Sequence, residues 1–361
     1  MRFVLLYHSL ISDWNHGNAH FLRGLMRALT ARGHEAVCLE QEDNWSLRNL
    51  ERAVPDAAAR FHASFPDLRS VRYPAAGAEA ALRVALREAD VLIVHEWNEP
   101  SLIAAAPRLA REAGARPYFH GTHHRVVLDD GYRRRLALDA YEAILAYSPS
   151  LAERHRSAGA HDVRVFHEAA DTTTFGPREV PVHDDVVFIG NYGDGDRDVE
   201  IEDYLFGPRR ELPDLRFAVY GVRYPDAVVA RMRDGLGVAY RGWLANTDVP
   251  GAYSAAKVAL HIPRRQYVET LPGTPTIRIF EALASGACLI SLPWRDTDRL
   301  FRAGTDYMVS HDPREMRESL AWLCSDAGSR DREGYRRNGR ATILSRHTCG
   351  HRADELLGWL A

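Results

Sequence analysis

The sequence predicts an α/β protein made of two Rossmann-like domains, each built on a parallel sheet. Three observations lead there. Short apolar runs alternate with segments of helical periodicity, joined by short polar loops, through the first half of the chain. A proline-rich stretch without periodicity, FGPREVPVH (175–183), interrupts the alternation, which then restarts. The chain has 361 residues, 46% of them hydrophobic, enough for two packed cores of ordinary size.

In the first half, residues 2–7 read as a strand. Residues 20–30 read as a helix, because Phe21, Leu22, Leu25, Met26 and Leu29 fall on one face. A strand at 35–40 follows, then a long helical region at 44–63, a weak strand at 71–73 and a helix at 78–87. VLIVH (91–95) is a buried strand. A helix at 100–113, a strand at 116–120, a helix at 131–138, a strand at 143–147, a helix from Pro149 and a strand at 163–167 complete the half. His8, His95, His120 and His167 then stand at the C-terminal ends of strands, which line the ligand crevice of an open α/β sheet.

The second half gives strands at 185–190, 215–220, 238–240, 258–262 and 289–292. Helices fall at 201–206, 227–233, 250–256, 277–284, 313–324, 329–345 and 351–360. The expected division is residues 1–172, a linker at 173–184, a second domain at 185–345 and a C-terminal helix at 346–361.

Bulk properties narrow the function. With 46 basic and 49 acidic residues the net charge is −3, so neither a nucleic-acid groove nor an anionic membrane surface is expected as partner. The four cysteines are widely spaced and form no CxxC, and Cys38 and Cys288 sit in apolar runs, which fits a reducing compartment. The first residues, MRFVLLYHSL, turn polar too early for a signal peptide, and no apolar run reaches the roughly 18 residues of a membrane span. A cytoplasmic protein is therefore expected. There is no GxSxG elbow, no GxxxxGK[ST] and no GxGxxG in the first turn, which speaks against a hydrolase triad, a P-loop kinase and a typical NAD enzyme. His120, His123 and His124 are close in sequence, but Gly121-Thr122 makes the segment a loop, and no HExxH or cysteine partner supports zinc. Neither a metal nor a cofactor is expected.

The most informative stretch is 261–293, HIPRRQYVETLPGTPTIRIFEALASGACLISLP. It reads as strand, polar loop, helix, strand. The loop brings Arg264, Arg265, Gly273, Thr274 and Thr276 to a helix N-terminus, where backbone amides and the helix dipole suit a phosphate. Glu281 lies about one turn into that helix and is its only carboxylate.

Several segments resemble the spore-maturation CgeB-like glycosyltransferase family, whose fold is GT-B. They are THHR (122–125), HEAADTTTF (167–175), DVVFIGNYGD (185–194), VYGVRYP (219–225), GW (242–243), HIPRR (261–265) and LPGTPTIRIFEALASG (271–286). The resemblance spans most of the chain and is strongest from 163 to 309. It implies two Rossmann-like domains facing a central cleft, with a nucleotide sugar, expected to be UDP-linked, bound by the second and an acceptor by the first. Glu281 matches the acid that commonly bonds the donor ribose in such enzymes. Many retaining members carry another glutamate eight positions earlier, where this chain has Gly273.

On that basis the expected donor contacts are Gly190, Asn191, Gly242, Trp243, Arg264, Arg265, Gly273, Thr274, Thr276 and Glu281, with Gly17 from the first β–α loop. His16 in the same loop, His123 and His124 after the 116–120 strand, and Glu168 after the 163–167 strand are the candidates for contacting the sugar or moving a proton. Each has a plainer reading: solvated loop charges for the arginines, a helix-surface acid for Glu281, a core ring for Trp243, structural histidines in the first domain. The leading expectation is a glycosyltransferase. An epimerase or hydrolase of nucleotide sugars on the same fold, or a non-catalytic sugar-nucleotide or glycan-binding surface protein, is the alternative.

Overall fold

The computed structural model describes residues 1–193 and 195–361. Asp194, which closes the DVVFIGNYGD segment, lies outside the described residues. The chain forms two compact units, Met1–Glu168 with Cys349–Ala361, and Ala169–Thr348.

The first unit contains β1 (Arg2–Leu6), α1 (Asn18–Thr30), β2 (Glu35–Gln41), α2 (Trp45–Ala53), α3 (Ala57–Ser64), β3 (Ser70–Tyr73), α4 (Ala78–Ala85), β4 (Val91–His95), α5 (Pro100–Glu112), β5 (Arg116–Gly121), α6 (Arg125–Leu128), α7 (Asp130–Arg134), β6 (Ala143–Ala146), α8 (Pro149–Ser157) and β7 (Val163–Val165). Its strands lie in the order β3-β2-β1-β4-β5-β6-β7, and each adjacent pair is parallel. β4 is buried along its whole length, as expected of a parallel strand covered by helices on both faces. The order reverses between β1 and β4, whose register sets Val4 beside Leu92. That reversal is where an open α/β sheet opens a crevice at the strand C-termini.

The helical region expected at 44–63 divides into two helices, because Pro55 has no amide to continue the ladder and Val54 before it is extended. Asn44 caps the first of them, its side chain accepting from Leu47 N at 2.9 Å. The helix expected at 131–138 ends at Arg134, and a separate short turn, Leu138–Ala140, follows.

The second unit contains β8 (Asp184–Ile189), α9 (Asp198–Ile201), α10 (Gly207–Glu211), β9 (Phe217–Tyr220), α11 (Asp226–Ala230), β10 (Ala239–Tyr240), α12 (Val249–Ser254), β11 (Ala256–His261), α13 (Arg265–Glu269), α14 (Ile277–Ala284), β12 (Leu289–Ser291), β13 (Met308–Val309), α15 (Pro313–Cys324) and α16 (Ser329–Arg346). A wider turn at Glu202–Phe206 joins α9 to α10 into one bent helix. The order is β10-β9-β8-β11-β12-β13, again parallel, and the reversal falls between β8 and β11. Its core packs Phe188, Val219, Leu260 and Ile290 from the sheet against Leu205, Met316 and Leu320 from the helices.

α17 (Cys349–Leu360) returns to the first unit. Arg32 pairs with Asp354 at 2.6 Å, and Arg352 Nε donates to the His167 carbonyl at 2.9 Å. All four cysteines are buried and none is bridged. Among the described residues, no helix is long and apolar enough to cross a membrane.

Candidate functional site

In each unit, polar side chains gather where the strand order reverses. In the first unit this is the end of β1 and β4, with the neighbouring β5. The Tyr7 hydroxyl and His120 Nδ1 are 2.7 Å apart, and the Tyr7 ring stacks on His95 at 4.8 Å. Asn18, at the start of α1, donates from Nδ2 to His95 Nε2 and to Thr122 Oγ1, both at 2.8 Å. His16 sits edge-on to His8 at 5.3 Å and to His95 at 6.2 Å between ring centres. Asn15, just before it, takes φ +48°, a left-handed turn that Asn tolerates and that brings the loop back to Gly17, the residue before α1.

Burial governs the protonation of this group. It holds His8 down to about 4 and His120 down to about 3. His16 and His95 lie well below the ordinary histidine value, first through burial and then through neighbouring charges. The four rings are therefore neutral near pH 7. Nε2 of His8, His16 and His120 has no hydrogen-bond partner among the described residues.

Glu96, directly after β4, completes the cluster. Its Oε1 accepts from the Thr122 amide at 2.5 Å and from the Thr122 hydroxyl at 2.9 Å, while Oε2 is buried without a partner. Burial pushes its carboxyl up to about 8, against the pull of the Thr122 hydrogen bonds. Glu168 is 1% exposed, and its charge joins burial and Cys38 in raising the Tyr7 phenol. His123 packs on Trp97 at 4.9 Å and on His124 at 3.9 Å, on the β5 side of the cluster.

In the second unit the loops after β8, β9 and β10 are tied together. Tyr224 donates to the Gly190 carbonyl at 2.9 Å, Val222 N to Asn191 Oδ1 at 3.0 Å, Gly221 N to the Gly242 carbonyl at 2.8 Å and Tyr240 to the Gly221 carbonyl at 2.9 Å. Trp243, beside Gly242, is half-buried rather than a core ring.

Arg197 is threaded through this arrangement. A Cβ on Gly190 would stand 2.7 Å from its Nη1, and one on Gly193 2.7 Å from its Cγ, so the two glycines make room for the guanidinium. Nη1 donates to the Asn191 carbonyl at 3.3 Å, and Nε has no partner among the described residues. No carboxylate among the described residues pairs with it. Burial, then the Arg264 charge, pull it down to about 10, so it stays cationic.

His261, at the end of β11, is held through both nitrogens, Nδ1 to Ser291 Oγ and Nε2 to Thr276 Oγ1, each at 2.8 Å. Ser291 spends its own hydrogen on the Leu292 carbonyl at 2.7 Å. His261 Nδ1 must then donate to Ser291, and Nε2 accept from Thr276. Burial, with Arg197 nearby, lowers His261 to about 3, so it is neutral. Thr276 is the residue before α14, and with its hydroxyl committed to His261 no side chain caps that helix.

Arg264 and Arg265 do not stand free as loop charges. Arg264 pairs with Asp196 at 3.3 Å and Arg265 with Glu200 at 3.0 Å, while Arg265 opens a short helix, α13, inside the expected loop. Glu281 is not a surface acid: it is fully buried and ion-paired with Arg278 on the preceding turn. Gly273 has φ +87°, and a Cβ there would run into the Thr297 hydroxyl. The position of the second family glutamate therefore has neither the backbone nor the room for one. Thr274, in the same loop, is buried.

Sequence reasoning named Glu281, Thr276, Gly190, Asn191, His16 and Glu168 as candidates, but gave no role to Arg197, Arg278, His261 or Glu96. For Arg197 the one available signal was Gly190 and Gly193 shortly ahead of an arginine in GNYGDGDR. Among the described residues, no three His, Cys, Asp or Glu side chains are grouped to hold a metal ion.

Residues 16–174 match the Glycosyltransferase Family 4 profile, and residues 202–358 a profile described as glycosyl transferase-like. No curated protein sequence matches the chain. Solved structures do. Alr3699/HepE from Anabaena, in complex with UDP and glucose, is 13% identical with a TM-score of 0.69, over 100% of this chain and 99% of that one. An alpha-glucosyltransferase in complex with UDP and a 13-mer DNA is 12% identical with a TM-score of 0.72, over 99% and 98%. A mutant form of TarM from S. aureus, in complex with Fondaparinux, alpha-GlcNAc-glycerol and UDP, is 9% identical with a TM-score of 0.70, over 99% and 99%. At such identities the likeness is one of fold, that of the GT-B glycosyltransferases.

Proposed function

Starting from a chain that carries the GT-B glycosyltransferase fold and matches a glycosyltransferase profile in each unit, we propose that it transfers a hexose from a UDP-sugar to an acceptor hydroxyl, as a CgeB-like enzyme. The observation that carries the reading is the half-buried Arg197 guanidinium at the sheet reversal of the second unit, which pairs with no carboxylate among the described residues. A cation without a carboxylate among the described residues, beside a helix start with no side-chain cap, is matched to a diphosphate.

In this reading the diphosphate lies against Arg197 and the first amides of α14, with Arg264 adding charge from its pair with Asp196. Glu281 accepts the ribose hydroxyls, and its ion pair with Arg278 holds it in place. Gly242 and Trp243 frame the base. UDP is chosen because it is the nucleotide bound in the three solved structures named above. Protein cations stabilise the departing diphosphate, so the proposed reaction needs no metal.

The first unit receives the acceptor. His16, neutral with Nε2 unengaged, takes the proton from the acceptor hydroxyl as the oxygen bonds to the anomeric carbon. The bond from that carbon to the diphosphate breaks, and the electron pair leaves with UDP. His123, Glu168 and Glu96 line the same strand ends and orient the acceptor. Four buried, unbridged thiols support a cytoplasmic setting. The test is to incubate the pure chain with a panel of nucleoside-diphosphate sugars and follow nucleotide release. UDP-sugar turnover that collapses in Glu281→Gln supports the reading; absence of both binding and release across the panel sinks it.

A further inference from the structure

The second unit carries another concentration of positive charge, at the opposite end of α14 from the donor half-site. There, Arg178 and three arginines of α16, Arg336, Arg337 and Arg340, border an open cavity of about 280 Å³, floored by Ser285 and Gly286 after the last turn of α14. α14 is eight residues long, so the two ends are about 12 Å apart. The cavity is therefore distinct from the cluster around Arg197.

Of these four arginines only Arg336 has a carboxylate partner among the described residues. Arg336 pairs with Glu333 at 2.9 Å and donates to the Ala256 carbonyl at 2.8 Å, which fixes its position, yet its buried Nε has no partner. Arg178 is held to the Thr174 carbonyl at 2.9 Å. Arg337 and Arg340 are exposed and, among the described residues, have neither a carboxylate nor a carbonyl partner. Glu333 is the one acid at the rim, facing four guanidinium groups.

The negative end of α14 does not account for this charge. It amounts to about half an elementary charge. Its last carbonyls are already taken by the chain itself: Ser285 N donates to Glu281 O at 3.0 Å, Gly286 N to Leu283 O at 3.1 Å and Ala287 N to Ala282 O at 3.0 Å.

We propose that this arginine-lined cavity is a second anion site that binds a phosphate monoester. The planar guanidinium forks of Arg337 and Arg340 suit the paired oxygens of a phosphate, with Arg336 and Arg178 held in place behind them. The volume admits a phosphate with a small organic group and is below the range of drug-sized ligand pockets. The ester comes either from a soluble metabolite or from a lipid headgroup.

The experiment titrates the full chain with inorganic phosphate and with glycerol phosphate at low ionic strength, in the presence of saturating UDP. It is repeated on the double variant Arg337→Ala, Arg340→Ala. Both positions are exposed on a helix, where Ala is well tolerated, and an unchanged Tm confirms folding. Saturable binding that weakens at least tenfold in the double variant is the expected result. Flotation with neutral vesicles carrying phosphatidic acid separates the sources. Capture of the wild type but not the double variant assigns the lipid headgroup, and soluble binding alone assigns the metabolite. No saturable binding in either arm, or binding that the double variant keeps in full, overturns the proposal. Binding that appears only without UDP also overturns it, since the anion then occupies the donor half-site. The loss in the double variant can be read whether or not the donor reading holds.

Discussion

The two units share a sheet plan and differ in what they place at its reversal. Both have helices on the sheet faces, the strand order turning back after its third member, and polar groups gathered at that turn. In the first unit those groups are rings and a carboxyl stripped of charge by burial, with His8 near 4, His120 near 3 and Glu96 near 8. In the second unit the charge is fixed: Arg197 stays cationic, and the local histidine, His261, is locked neutral between two hydroxyls. One topology thus yields a site suited to moving a proton and a site suited to holding an anion. The difference lies in a few loop residues, chiefly the glycines that let Arg197 in.

The sharpest way to break this contrast is at Glu281. Glu281→Gln keeps the shape and removes the charge, and a lost hydrogen bond to a charged group costs about 1.5–3 kcal/mol. UDP affinity is expected to fall roughly 10- to 100-fold by calorimetry. Equal affinity in variant and parent would remove Glu281 from the site. Next is Arg197→Met, which fills the glycine channel without the cation. UDP should bind about tenfold more weakly while uridine is unaffected, since only the phosphates are lost as partners; equal loss for both ligands would point to a collapsed loop instead.

The first unit is tested through pH. Below the ordinary carboxylate value of 4.5, Glu96 is protonated whether folded or not; between 4.5 and about 8 the folded chain holds the extra proton. Its contribution to stability is therefore intact at low pH and is lost as pH rises through about 8, by at most about 1.4 kcal/mol per pH unit. Thermal melts from pH 5 to 8.5 should show the parent losing Tm relative to Glu96→Gln, and parallel curves would contradict a buried, protonated carboxyl. The smallest expected effect is at Gly273. Gly273→Glu restores the family motif on paper, but the left-handed backbone costs about 1–2 kcal/mol and the side chain meets Thr297. A Tm lower by a few degrees with no gain in turnover is expected; a faster enzyme would show that the loop can rearrange to use a second glutamate.

What could be read from the sequence follows the range of the interactions involved. VLIVH is a strand in both readings because burial on two faces needs only an unbroken apolar run. The helix at 313–324 is also found as expected, since Asp312 caps it from the adjacent position, accepting from Glu315 N at 2.8 Å. The break at Pro55 was visible as a residue but was overridden by the helical composition around it. The candidate site was legible where position on an element places a residue near the sheet reversal, as for Glu281 and Thr276 at the start of α14. It was illegible where the deciding partner is far away in sequence. The ion pairs of Arg264 and Arg265, expected as donor contacts, were not foreseen because their acids, Asp196 and Glu200, lie in a different loop and helix start. Glu96 owes its raised pKa to burial at the strand ends, and its hydrogen bonds to Thr122, which no local pattern connects to it, pull the other way. Arg197 received no role from the sequence because a channel made by absent side chains leaves no apolar signal.

The central claim is that the second unit holds a nucleoside diphosphate through Arg197 and Glu281. Its most direct test is calorimetric titration of the full chain with UDP, UMP and uridine, repeated on Arg197→Met and Glu281→Gln. The account predicts saturable UDP binding, much weaker UMP binding, loss of UDP affinity in both variants, and loss of uridine affinity in Glu281→Gln alone. UDP binding that survives both substitutions, or no nucleotide binding by the parent chain, would contradict it.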